Sequence, residues 1–290
     1  MQVRKNWHLT RDNVFYAKPF LKWAGGKQQL IPQYQNFFPI EFGDYYEPFL
    51  GSGAVYFHLF NTSSLKNHSY LSDNNVELIN TYVVVRDNLD ELMVLLKIHQ
   101  ASHNKEYYYE IRGLDRNDNI KLSDVEKAAR MIYLNRTCFN GLYRVNSKGY
   151  FNVPIGRYKN PKILFEDVLR TASDALQDAN IKVQDFKYIL SSPHKGDLIY
   201  FDPPYHPLSE TSSFTSYTSG NFTDEDQREL ANVFSQLSAK GCLCMLSNSY
   251  SDLILTLYKD FKIHIIQANR AINSKAHGRG KIKEVLVTNY

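Results

Sequence analysis

The sequence predicts an α/β protein, an open sheet covered by helices, with a differently patterned region inserted into it. Three observations carry this prediction. Short β-like runs at Tyr45–Glu47, Tyr70–Ser72, Ile181–Val183, Leu198–Phe201, Cys242–Leu246, Ile263–Ile266 and Val285–Thr288 read as strands. Several are continuous rather than alternating, the pattern of strands buried on both faces. Helical patterns separate them: Asp224–Ala239 opens on Thr223 as an N-cap and closes on Gly241. From about Glu77 to Glu166, however, no strand–helix alternation is visible.

Within that interval Arg86–Gly113 and Ser123–Arg136 read as helices, and Ser123 with Glu126 forms a capping box. A stretch rich in Asn, Gly and basic residues follows, up to about Pro161. The expected division is a sheet domain formed by residues 1–76 and 167–290, and an inserted domain of residues 77–166.

The bulk properties exclude more than they assign. At 290 residues, 43% hydrophobic and 22% charged, the chain belongs among folded rather than disordered proteins. Its 21 Tyr and 17 Phe suit core packing and stacking on nucleobases alike. A net charge of +4 does not by itself call for a polyanionic partner. Three cysteines (Cys138, Cys242 and Cys244) cannot build a disulfide framework, and none has a His or Cys partner at zinc spacing. No metal is expected. The first residues, MQVRKNWHLTRDNVF, are polar, and no run is long and apolar enough to span a bilayer, so a soluble cytoplasmic protein is expected.

Phe49-Leu50-Gly51-Ser52-Gly53 follows the first strand and precedes the helix-like run Ala54–Phe60. Glycines at a strand-to-helix turn let backbone approach a ligand, although a lone G-x-G is also a common structural turn. Asp73 lies twenty residues beyond Gly53, where an acidic residue accepts ribose hydroxyls in doubly wound sheets; a helix N-cap is the alternative. A dinucleotide fingerprint would place a third glycine where Tyr56 stands, which counts against a pyrophosphate cofactor. No phosphate-loop motif is present either. Lys22-Trp23-Ala24-Gly25-Gly26-Lys27 offers lysines and glycine amides, a combination that holds a carboxylate as readily as it forms a plain turn.

The decisive run is Asp202-Pro203-Pro204-Tyr205, directly after the buried-strand pattern Leu198–Phe201. Two prolines forbid further ladder hydrogen bonds, so Asp202 and Tyr205 are set at the carboxyl end of a strand, where open α/β sheets bind ligands. An aromatic amine is a poor nucleophile because its lone pair is delocalised into the ring. A carboxylate accepting one N–H and a backbone carbonyl accepting the other turn that lone pair toward an electrophile, while an aromatic ring stacks on the base. The four residues specify an exocyclic amine; alone they do not choose adenine over cytosine, or DNA over RNA.

With these residues, the chain resembles the Dam-type DNA adenine N6-methyltransferases, close to the GATC-specific enzymes of restriction–modification systems. The resemblance runs from about Pro19 to Tyr290. It rests on F-L-K-W-A-G-G-K at Phe20–Lys27, E-P-F-L-G-S-G at Glu47–Gly53, F-N-G-L-Y-R-V-N at Phe139–Asn146, F-N-V-P-I-G-R-Y at Phe151–Tyr158, and Y-F-D-P-P-Y at Tyr200–Tyr205. It implies a Rossmann-like S-adenosylmethionine-dependent methyltransferase sheet, formed by residues 1–76 and 167–290 as the catalytic domain. Residues 77–166 would be a mostly helical target-recognition domain carrying a β-hairpin. It also implies that Trp23 and Lys27 hold the methionine end of the cofactor and that Asp73 binds its ribose. Phe49, Gly51 and Gly53 would line the cofactor, Asp185 and Phe186 would meet its adenine, and Asp202 would touch both cofactor and target amine.

The segment Asn135–Phe165 carries Arg136, Arg144, Lys148, Arg157, Lys159 and Lys162 without one Asp or Glu, and interleaves Phe139, Tyr143, Tyr150, Phe151 and Tyr158. Val145–Gly149 reads as a hairpin with Lys148 and Gly149 in its turn. By charge alone a solvated basic loop is an equal alternative to a DNA contact. The resemblance favours DNA: Arg144 would read a guanine, with Lys22, Phe139, Asn140, Leu142 and Pro154 at or near the bases. Asn146, Lys148, Arg157 and Tyr158 belong to the same expected surface. Phe139 stands where some relatives carry Tyr, so a wedge beside a flipped base survives without its hydroxyl. Double-stranded DNA is the expected partner of a monomer that touches no membrane; a cognate restriction endonuclease of the same system is a further expectation of the resemblance, with no direct contact implied. Ser209–Thr223 suits a lid or an ordinary polar loop, and Lys275–Lys281 suits phosphate contact or a plain connection between the last two strands.

Overall fold

The computed structural model describes residues 16–117, 119–208, 222–269 and 281–290. Seven strands form one sheet: β1 (Tyr45–Glu47), β2 (Ser69–Asp73), β3 (Ala179–Val183), β4 (Leu198–Phe201), β5 (Leu243–Ser249), β6 (Lys262–Asn269) and β7 (Lys281–Thr288). All seven expected strands are present, and the largest revision is a longer β6–β7 pair. Their spatial order is β3-β2-β1-β4-β5-β7-β6, with only β7 antiparallel to its neighbours. This is a Rossmann-like sheet whose chain order reverses between β1 and β4, which pair through Tyr45↔Leu198 and Tyr46↔Ile199. A crevice opens at the carboxyl ends of strands on either side of such a reversal.

Alternate residues along the strands face two separate cores. Tyr45, Leu71, Tyr200, Met245 and Leu286 pack with α2 (Ala54–Asn61), α3 (Val76–Asp87) and α7 (Glu166–Leu176). Tyr46, Ile199, Phe201, Cys244, Leu246, Val285 and Val287 pack on the other side, with α8 (Asp224–Ala239) and α9 (Asp252–Leu257). The central strands β4 and β5 are thus buried on both faces, which explains why their runs are continuous in sequence. Thr223 and Asp226 cap α8 reciprocally, as the sequence signals. The single-turn α1 (Ile31–Tyr34) follows a short 3-10 turn at Lys27–Gln29.

From Val76 to Thr137 the chain between β2 and β3 is mostly helical. The expected helix over Arg86–Gly113 is instead broken twice: α3 ends at Asp87, and α4 (Leu89–Ser102) and α5 (Lys105–Gly113) follow. Asn104 caps α5 by accepting from the Tyr107 backbone N–H, so the break carries its own signal. The capping box of Ser123 and Glu126 opens α6 (Asp124–Thr137) as expected. Tyr107 and Tyr108 serve packing, since the Tyr108 hydroxyl is buried and donates to the Val153 carbonyl at 2.8 Å. Beyond α6, Cys138 and Ile155 form an antiparallel bridge, as do Val145 and Phe151. No helix among the described residues is long and apolar enough to cross a membrane.

Candidate active site

At the end of β1 the chain turns through Gly51 at φ +47°, a backbone shape that side chains strain. A Cβ there would lie 2.9 Å from Trp23 Cδ1, so the turn and the Trp23 loop are in close apposition. Asp73, at the end of neighbouring β2, braces the turn: its Oδ2 accepts the Gly51 N–H at 3.1 Å and its Oδ1 the Asn75 N–H at 3.0 Å. The N-cap of α3 is Asn75, whose side chain accepts from Leu78, so capping does not explain Asp73. Burial pushes the Asp73 carboxyl above its ordinary range, and those amide donors oppose it. Tyr56, in place of a third glycine, is buried and hydrogen-bonded by its hydroxyl to the Ala175 carbonyl, tying α2 to α7. Bulk there is incompatible with the close packing that a dinucleotide fingerprint uses.

Phe49 and Phe186 stack with centroids 5.3 Å apart, and Phe222 meets them at 5.9 Å and 5.7 Å. Asp185 caps the 3-10 turn at Phe186–Ser191 by accepting from the Lys187 N–H at 2.9 Å. The aromatic trio, the Gly51 turn and the Asp73 carboxylate lie along one edge of the sheet, from β1 to β3.

Across the chain reversal, Asp202 ends β4. Its Oδ1 is gripped twice, by Lys27 Nζ at 2.7 Å and by the Ser247 hydroxyl at 2.8 Å. No hydrogen bond from the described residues reaches its Oδ2. Lys27, almost fully buried, also donates to the Gly25 carbonyl and lies 4.6 Å from the Tyr205 ring centroid. The Tyr205 hydroxyl donates to Glu284 Oε2 on β7 at 2.9 Å. Behind the turn, Gln227 Nε2 donates to the Pro204 carbonyl at 2.9 Å, and Asn248 joins Gln227 to the His206 backbone. The Tyr34 hydroxyl is buried in the field of Asp202 and Glu284, with no hydrogen-bond partner among the described residues. No group of three or more metal-ligating side chains occurs among the described residues.

The basic segment folds as its pattern suggests. Asn146 N–H donates to the Tyr150 carbonyl at 2.9 Å, and Asn146 Oδ1 accepts the Lys148 and Tyr150 amides, closing a turn in which Gly149 has φ +81°. Arg144 is exposed, with its Nε 2.6 Å from Asn152 Oδ1, and it contacts none of the Asp202 cluster. Phe139 is 47% exposed, and Asn140 beside it adopts a left-handed φ of 56°. Leu142 is half-buried, and Pro154 accepts the Phe139 N–H through its carbonyl at 2.9 Å. Lys22 lies over the Tyr158 ring at 4.8 Å, and its backbone is held on both sides by the Asn135 amide. Arg157 and Lys148 are exposed. Trp23 stacks on Tyr143 at 5.4 Å, so the glycine-rich loop touches the base of the hairpin.

Sequence reasoning missed Phe222, Gln227, Ser247 and Glu284. Ser247-Asn248-Ser249 ends an otherwise apolar buried strand and was the available signal; Glu284 follows Lys283 at the start of the Val285–Thr288 run and carried none. The lid and phosphate-contact expectations for residues 209–221 and 275–280 fall outside the described residues.

A glycine turn after β1, an acidic residue after β2 and an Asp-Pro-Pro-Tyr turn after β4 define the class: amino-methyltransferases on a Rossmann-like sheet. The comparisons narrow it. Residues 23–272 match the family model of the D12 class N6 adenine-specific DNA methyltransferases. The chain is 48% identical to the Type II methyltransferase M1.LlaDCHI of Lactococcus lactis subsp. cremoris, over 98% of this chain and 99% of that one. It is 42% identical to the Type II methyltransferase M.MjaIII of Methanocaldococcus jannaschii, over 94% and 99%. With the DNA adenine methylase of Serratia marcescens the identity is 33%, over 93% and 97%. The chain belongs to the D12 class of N6 adenine-specific DNA methyltransferases.

Proposed function

We propose that this enzyme methylates adenine N6 within GATC in double-stranded DNA, using S-adenosylmethionine and a base flipped out of the duplex. The observation that carries the reading is the Asp202 carboxylate at the end of β4, held through Oδ1 by Lys27 and Ser247, while no hydrogen bond from the described residues reaches Oδ2. Oδ2 accepts one N–H of the target amine. The Pro204 carbonyl is engaged by Gln227, so the Pro203 carbonyl is the acceptor assigned to the second N–H. With both protons engaged, the nitrogen lone pair is free to point at the electrophile. Tyr205 presents one ring face to Lys27 and the other to the base. A base must leave the stack to reach such a pocket, and exposed Phe139 suits the space it vacates.

The residues fit the cofactor. Asp73 offers a carboxylate to ribose hydroxyls, Phe49, Phe186 and Phe222 form an aromatic site suited to adenine, and Trp23 and Lys27 stand where the methionine end is expected. A sulfonium supplies an activated methyl, so these residues need only bind, orient and exclude water. Residues 77–166 act as the target-recognition domain, with Arg144 reading a guanine in the major groove. The enzyme acts as a cytoplasmic monomer, alongside a restriction endonuclease of the same specificity; the Type II names of two relatives support the last of these.

The test is transfer of labelled methyl from S-adenosylmethionine to duplexes that contain or lack GATC, with nucleoside analysis of the product. N6-methyladenine confined to GATC duplexes is expected. Equal labelling of permuted sites would defeat the specificity, and N4-methylcytosine would defeat the choice of base.

A further inference from the structure

An inner strand of a doubly covered sheet rarely carries a carboxylate. On β7, Glu284 is nevertheless placed opposite Ser249 of β5 and Ile266 of β6, one same-face position from buried Leu286. Desolvation at such a place is costly unless the charge is paired. Two partners meet it: the Tyr205 hydroxyl at 2.9 Å, and the field of Lys27, which also bonds Asp202. Burial raises the Glu284 carboxyl above its ordinary range, while Lys27 and the Tyr205 hydrogen bond pull it back.

We propose that Glu284 is a positioning residue for methyl transfer, fixing the Tyr205 ring by its hydroxyl and biasing the site toward the sulfonium cofactor over its thioether product. The inference rests on the proposed use of S-adenosylmethionine. Tyr205 is held at two points, its hydroxyl on Glu284 and one ring face against Lys27, which leaves the opposite face for a base. Lys27 pairs with Asp202 at 2.7 Å, so an ionised Glu284, bonded to the Tyr205 hydroxyl, leaves the cluster with one excess negative charge. The cofactor has a net charge of about +1 near neutral pH and the product, having lost the sulfonium, about zero, so the excess charge distinguishes them.

The test measures equilibrium binding of S-adenosylmethionine and S-adenosylhomocysteine separately, by calorimetry, together with kcat. Glu284→Gln keeps an acceptor for the Tyr205 hydroxyl but removes the charge. It is expected to lower the sulfonium-to-thioether affinity ratio on the order of tenfold, as loss of one partly shielded unit charge would. Glu284→Ala and Tyr205→Phe should each lower kcat, and the double variant should be no slower than the slower single. A structural role alone would weaken both ligands equally. An unchanged affinity ratio in Glu284→Gln overturns the charge assignment, and additive kcat losses overturn the positioning assignment. If Glu284→Ala does not fold, the same cycle is run with Glu284→Leu, which also removes the acceptor. If the unaltered protein binds neither ligand, the cofactor reading fails instead, which is a distinct result.

Discussion

Lys27 Nζ lies 2.7 Å from Asp202 Oδ1, and the two residues are 175 positions apart in the chain. The lysine is nearly fully buried, so it serves as the counter-ion of the Asp202 carboxylate. Lys27→Met strands a carboxylate in a desolvated site and is expected to cost about 3 kcal/mol of stability, the scale for breaking a buried pair. Adding Asp202→Asn removes the stranded charge and should restore part of that loss, although neither variant transfers methyl. Urea unfolding of the two single variants and the double variant reads this directly; a double variant less stable than either single would refute it.

Asp202→Ala separates chemistry from binding. Methyl transfer should disappear while the circular dichroism spectrum and duplex affinity persist. Retained transfer would remove Asp202 from the central role.

Gly51→Ala tests the turn. The added methyl meets Trp23 Cδ1 at 2.9 Å and strains a backbone at φ +47°, so Trp23 must move. The expected result is a loss of about 1–3 kcal/mol in stability and weaker binding of S-adenosylmethionine, followed by calorimetry. Unaltered cofactor affinity would detach Trp23 from the cofactor site.

Arg144→Ala tests recognition. It should cost about 1–3 kcal/mol of discrimination at one base pair, seen as more even labelling of GATC and single-substitution duplexes. Uniform weakening on all sequences, with a shallower salt dependence, would make Arg144 a phosphate contact instead. Asn152→Ala, which releases the Arg144 guanidinium, should alter affinity less than loss of the guanidinium itself.

Acid should loosen the helices between β2 and β3. Burial lowers the His99 imidazole to about 4, and Tyr107 bonds its Nδ1 at 2.8 Å. A group with a depressed folded-state pKa contributes stability above its unfolded value, about 6.5 for His, and loses it as pH falls toward the folded value. His99→Gln should therefore flatten the decline in thermal stability between roughly pH 6.5 and 4. Identical slopes for both proteins would assign that decline to other groups.

The sheet was legible because its central strands are buried on both faces, and a continuous run such as Leu198–Phe201 shows that in four letters. The site was legible where chemistry demands adjacency in sequence, as in Asp202-Pro203-Pro204-Tyr205. Glu284, Ser247 and Gln227 reach the same turn from other strands and a helix, and no spacing rule links residues that meet only through tertiary packing. Asp73 was ambiguous in sequence because Asn75 stands two residues on, and only the hydrogen bonds assign the cap to one and the brace of Gly51 to the other.

The stacking of Trp23 on Tyr143 has a consequence for evolution. Tyr143 immediately precedes Arg144, so the residue beside the glycine turn physically supports the residue expected to read the sequence. On the proposed reading, a recognition segment exchanged between relatives has to bring its own stacking partner for that indole, which couples a change of target sequence to the seam with the glycine-rich loop.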